Sequence, residues 1–204
     1  DAEAALERLR PHGFDQRIDL GDGVAARFIP AGHLLGAAQI RFEIGDRVVH
    51  FSGDLGHDPD PLMRPPKPFG GADVLVCEST YGNRSHPDTD PEAELAPVLK
   101  RTFARGGTVL IPSFAVGRAQ GVMLHIARLM ARGDIPYVPV FLNSPMAVDA
   151  TDIYHRHHAE HHVSREDCVA MFEIAKRVNT VEQSKDLNTR QGPMIIVSAS
   201  GMLT

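Results

Sequence analysis

The stretch IPAGHLLGAAQIRFEIGDRVVHFSGDLG, residues 29–56, decides how this chain is read. Within it, residues 37–44 (AAQIRFEI) and 47–52 (RVVHFS) read as strands joined by Gly45-Asp46, a dipeptide suited to a two-residue hairpin turn. Ile40, Phe42 and Ile44 alternate with Gln39, Arg41 and Glu43, which predicts one apolar and one wet face. His33 precedes the hairpin, flanked by Gly32 and Gly36, and Asp54 follows it, bracketed by Gly53 and Gly56. Glycine lets the backbone bend and approach closely, so both polar side chains sit where a metal centre could be built. Taken singly, each also fits an ordinary surface hydrogen bond or turn.

Working outward, residues 24–29 (VAARFI) read as a further strand. The run 58–71 (DPDPLMRPPKPFGG) is too rich in proline for a helix and reads as a surface crossing. Residues 73–77 (DVLVC) form a continuous apolar run, the pattern of a strand covered on both faces. From about residue 83 the pattern changes. Helices predicted at 91–105, at 116–131 and across roughly 146–176 alternate with strands at 108–111, 137–142 and 194–198. Such alternation argues for an α/β fold with right-handed crossovers and a parallel sheet. The predicted buried strands end in Asp54, Glu78, Ser113, and Ser198 with Ser200. Open α/β sheets bind ligands outside the carboxyl ends of their strands, so one wall of a cleft is expected there.

The 204 residues are 43% hydrophobic with a formal net charge of -5, so no basic footprint announces a nucleic-acid binder, and an anionic substrate would need a local field. Cys77, read as a core thiol, and Cys168 suggest reduced thiols and a cytoplasmic protein. No apolar run reaches the roughly 18 residues that span a bilayer, so no membrane partner is expected. The chain begins at Asp1 in a helical pattern and stops at Thr204 directly after a strand pattern, which reads as a piece of a longer protein.

Six ordered motifs carry a resemblance. PAGHLLGAAQI, FSGDLG and ESTYGNR, followed by LIPSFAVGRAQ, LNSPMA and VSASGMLT, resemble the metallo-β-lactamase-fold nucleases of the β-CASP group, from about residue 20 onward. The resemblance implies part of an αββα sandwich over residues 1–82 and an inserted β-CASP domain over 83–204, its mainly parallel sheet flanked by helices. It implies His33 as ligand of one Zn2+, Asp54 as a carboxylate shared by two, and Glu78 as the acidic residue that orients a histidine assisting the leaving oxygen. It also implies RNA as substrate, single-stranded in form, with a homodimer among the options for the whole protein. Phosphate contacts fall to Arg118, Ser198, Ser200 and Gly201. Two cations held by imidazoles and a bridging carboxylate suit phosphodiester hydrolysis, because each lowers the pKa of bound water.

The family's His-x-His-x-Asp-His run and its later histidines do not occur in this chain. Two ligands fall short of the four a zinc normally takes, so weak or absent zinc binding and no cleavage are expected of this chain alone. A small-molecule hydrolase of the same fold and a noncatalytic scaffold subunit are the alternative readings. His157-His158-Ala159-Glu160-His161 fits a short zinc-peptidase pattern, but no third ligand is evident, and the segment reads as an exposed helix face. Phe114 reads as a core residue in preference to a base-stacking one, and His50 as structural or solvated.

Overall fold

The computed structural model describes residues 2–85 and 88–199, and it divides into two compact units, residues 1–60 with 64–84 and residues 61–63 with 85–204. The first begins with a short helix, α1 (Ala2–Leu6), and is otherwise a five-stranded sheet in sequential order. Its strands are β1 (Ile18–Gly21), β2 (Val24–Pro30), β3 (Ala38–Ile44), β4 (Arg47–Phe51) and β5 (Val74–Val76). The first four run antiparallel and β5 joins β4 in parallel. Ile44 pairs with Arg47 across Gly45-Asp46, so the hairpin has the two-residue turn that the dipeptide predicts.

Three expectations fail here. The polar face of β3 is not wet, because residues 64–71 lie across it. Gln39 is buried and donates to the Pro30 and Lys67 carbonyls. Arg41 reaches the carbonyls of Phe69 and Gly71. His50 is fully buried, stacked on Phe69 with ring centroids 3.9 Å apart and hydrogen-bonded to Gln39 Oε1 at 2.9 Å. Burial first, and the nearby Arg41 charge second, push the His50 pKa down, so its neutral form is favoured. Conversely, the apolar run 73–77 is not covered on both faces: β5 is the sheet's edge, with Val74, Leu75 and Val76 exposed by 52%, 50% and 48%. Cys77 is likewise exposed, against the reading as a core thiol.

The second unit is a four-stranded, wholly parallel sheet in the order β6-β9-β7-β8. Its strands are β6 (Thr108–Ser113), β7 (Val140–Asn143), β8 (Ala175–Val178) and β9 (Met194–Ala199). Its helices are α2 (Pro91–Ala104), α3 (Arg118–Ala131), α4 (Pro145–Arg156), α5 (Arg165–Glu173) and α6 (Val181–Thr189). Helix starts are marked by caps: Asp90, Ser144, Ser164 and Thr180 each accept a backbone N–H one turn in, and Pro91 and Pro145 occupy first helical positions.

The path from β6 to β7 to β8 moves one way across the sheet, and the return from β8 to β9 moves the other way. Right-handed crossovers therefore place α6 on the face opposite α3, α4 and α5. Ile195, Val197, Val140 and Leu142 are buried on the α3–α5 face, whereas Leu187 of α6 clusters with Phe141, Val178 and Met194 on the other. Leu110 emerges on that second face level with Ile196 and Phe141, beyond the cover of α6, and is 64% exposed. No described helix is long and apolar enough to cross a membrane.

Candidate metal and phosphate site

In the first unit, three loops meet at the carboxyl ends of β2, β4 and β5. Ser52 N–H continues the β4–β5 ladder to the Val76 carbonyl, and Ser52 Oγ accepts from Glu78 N–H at 3.0 Å. The Glu78 carboxylate turns back over the Asp54 loop, accepting Leu55 N–H at 3.0 Å on one oxygen and Thr80 N–H at 3.2 Å on the other. The Leu55 N–H first, Thr80 next, and more weakly the His33 ring hold the Glu78 carboxyl below the usual carboxylate range.

The His33 and Asp54 loops touch backbone to backbone. Gly56 N–H donates to the Ala31 carbonyl at 2.9 Å. A Cβ on Gly56 would lie 2.0 Å from the Gly32 carbonyl oxygen and 2.9 Å from His33 N. Gly32 itself, at φ +69, sits against the backbone of Arg64 and Pro65. These glycines set how near His33 and Asp54 come. Both side chains are exposed, and among the described residues neither the His33 ring nor the Asp54 carboxylate has a hydrogen-bond or ion-pair partner.

An imidazole and a carboxylate are ligand types that zinc takes, and each Glu78 oxygen already accepts one backbone N–H. Among the described residues no group of three or more His, Cys, Asp or Glu is placed to hold a metal.

In the second unit the carboxyl ends of the parallel strands bring Ser113, Ser198 and Asn143 to one edge. Ser198 Oγ donates inward to the Asn143 carbonyl at 3.3 Å, so its hydroxyl is engaged by the neighbouring strand. Ser200 and Gly201 lie outside the described residues, as does His86. Arg118 is exposed at the first turn of α3, its guanidinium 5.1 Å from the centroid of the Phe114 ring. Phe114 is 55% exposed, which corrects its reading as a core residue: it caps a loop instead of entering the sheet's packing.

Sequence reasoning missed the residue that holds this loop, Gln120, which is fully buried. Its Oε1 accepts Gly117 N–H at 2.7 Å, and its amide donates to Ala115 O, Ala147 O and Thr151 Oγ1. Gly117 stands at φ +80, a left-handed position that favours glycine. The available signal was the spacing: a glutamine three residues after a helix N-cap can return its side chain to the cap N–H, which is one half of a capping box. The 157–161 histidines do not form a continuous helix face: a short 3-10 turn (His158–Glu160) intervenes, and His161 is buried with its Nε2 3.2 Å from the Tyr154 carbonyl.

Residues 119–204 match the Beta-Casp domain family. The whole chain is 35% identical to the ribonuclease TTHA0252 of Thermus thermophilus and covers 48% of it. It is 33% identical to the transcription termination factor FttA of Methanosarcina mazei, with 97% of this chain covering 33% of that protein. It is 30% identical to the endoribonuclease ysh1 of Schizosaccharomyces pombe, with all of this chain covering 27% of that protein. The chain thus spans about half the length, or less, of these curated relatives.

Proposed function

The chain belongs to the β-CASP group, and from that premise we propose that the intact protein is a zinc-dependent ribonuclease that hydrolyses RNA phosphodiester bonds. One observation supports this reading above the others: the glycine contact that brings the His33 and Asp54 loops together beside the locked carboxylate of Glu78. His33 and Asp54 would hold zinc, with further ligands from outside this chain. The metal, when bound, supplies a lowered water pKa and positive charge opposite the phosphate. The remaining roles belong to this chain's own side chains. Glu78, kept ionised by the Leu55 and Thr80 N–H groups, fixes the Asp54 loop. Arg118, exposed over Phe114, offers a guanidinium fork to a phosphate.

The named relatives support RNA as substrate: a ribonuclease, an endoribonuclease and a transcription termination factor. Replacing Asp54 by Ala in the intact protein tests the assignment with two readouts. Ribonuclease activity is expected to fall by at least about 1000-fold, and bound zinc, counted by mass spectrometry of the native protein, is expected to drop. Full zinc occupancy together with retained cleavage would refute it. A Glu78→Gln variant is expected to keep more zinc than Asp54→Ala, because Glu78 positions the loop without ligating.

A further inference from the structure

The second unit has a cavity of about 420 Å³ between α6 and strand β8, and the candidate metal loops take no part in it. Phe141 and Lys176 are register partners on adjacent parallel strands, so their side chains rise side by side from the sheet into this space. The Arg190 guanidinium stacks on Phe141, 4.9 Å from the ring centroid. Among the described residues, neither Lys176 nor Arg190 forms an ion pair. Gln183 and Asp186 line the same space from one stripe of α6. Gln183 Oε1 is occupied by the N–H groups of Asn179 and Thr180, which leaves its amide as a donor.

Two unpaired cations on an aromatic base, a spare amide donor and a single carboxylate acceptor are a consistent set. The cations take a phosphate, with Arg190 binding it edge-on. The outer face of Arg190 remains open to a planar ring, its inner face being held by Phe141. Asp186 accepts from sugar hydroxyls. The volume falls within the range of small-ligand sites, roughly 300 to 1000 Å³. We propose that this cavity binds a nucleotide-sized phosphate ester, as a free nucleotide or as one nucleotide unit of an RNA strand. It requires neither zinc nor the His33–Asp54 loops, so it stands or falls separately from the catalytic reading.

The test is calorimetric titration of the intact protein, in chelator, with adenosine monophosphate and with a five-nucleotide single-stranded RNA. The proteins compared are the wild type, the K176E/R190E double variant, and K185E, whose residue does not line the cavity. Sub-millimolar binding of one or both ligands is expected, weakened at least tenfold in the double variant and within twofold of wild type in K185E. Mononucleotide binding as tight as that of the RNA assigns a free nucleotide. A tenfold tighter RNA, with the gain lost in the double variant, assigns a strand. Failure of both ligands to bind at millimolar concentration, or equal binding to wild type and a double variant with an unchanged melting curve, overturns the proposal. Should the double variant not fold, R190Q replaces it under the same criteria.

Discussion

In the first unit Gly56 meets Gly32 backbone to backbone, whereas in the second the loop before α3 is held by one buried side chain, Gln120. The first arrangement has no room for an added atom but depends little on side-chain chemistry. The second depends on four hydrogen bonds and on a glycine at φ +80. The two devices should therefore fail under different substitutions. The largest effect is expected from Gly56→Ala, whose Cβ would overlap the Gly32 carbonyl at 2.0 Å. Separating the two loops should cost about 3 kcal/mol or more in a denaturant titration followed in the first unit. Gly36→Ala is the control: a Cβ there meets nothing within 4 Å, and only the strain of φ +81 remains, about 1 to 2 kcal/mol. Equal costs for the two would show that the close approach does not hold the loops.

The second unit should respond to chemistry more than to volume. Gln120→Leu preserves most of the bulk but leaves Gly117 N–H without its acceptor and the Ala115 carbonyl without its Gln120 donor, while the Ala147 carbonyl keeps Thr151 Oγ1. The expected loss is about 2 to 4 kcal/mol, since buried groups that lose a partner cost more than the bond contributed. A Gln120→Leu protein as stable as wild type would remove the proposed hub.

The same unit carries a smaller, pH-dependent clamp. Glu92 on α2 accepts from His125 Nδ1 at 2.8 Å and pairs with Arg132 at 2.6 Å, both on the α3 side. Burial alone would raise its pKa, but the His125 and Arg132 hydrogen bonds overcome it and hold the carboxyl below the usual 4.5. A depressed carboxyl contributes stability that is present above the unfolded value and is lost as pH falls through the folded one. Glu92→Gln should therefore cost about 2 kcal/mol at pH 7, with the gap to wild type closing below pH 4.5. A gap that stays constant down to pH 3 would contradict the clamp.

Why some of this could be read from sequence and some not follows from where each contact lies. The β3–β4 hairpin was legible because Gly45-Asp46 and the alternating flanks are local signals, and the parallel sheet because buried strands alternate with helices. Strand β8 and helix α6 were missed. β8 reads AKRV, and its Lys176 and Arg177 sit at a sheet edge where charge is tolerated, so the segment looks like polar helix. β1 was missed for a similar reason: four residues, IDLG, mostly exposed, carry little pattern. The cover over the polar face of β3 is invisible in β3 itself, since it comes from residues 64–71 and consists largely of backbone carbonyls. At the candidate site, glycines around His33 and Asp54 suggested close approach, but which glycine made it could not be read from sequence: Gly56 touches Gly32 while Gly36 touches nothing.

The smallest expected effect sharpens the contrast at the surface of the second unit. Arg118 and Phe114 are both exposed, and their contact is a 5.1 Å cation–π stack at the helix start. Arg118→Ala should change stability by about 0.5 kcal/mol or less, because an exposed stack of this kind contributes little. Its effect should appear instead in RNA binding by the intact protein. Loss of one phosphate contact should weaken affinity a few-fold at all sequences and reduce the salt dependence of log K by about one unit. Gln120→Leu should act the other way, lowering stability far more than the salt slope of the folded fraction. If Arg118→Ala left both the affinity and the salt slope unchanged, the cation would serve Phe114 alone, and the phosphate role proposed for Arg118 would fall.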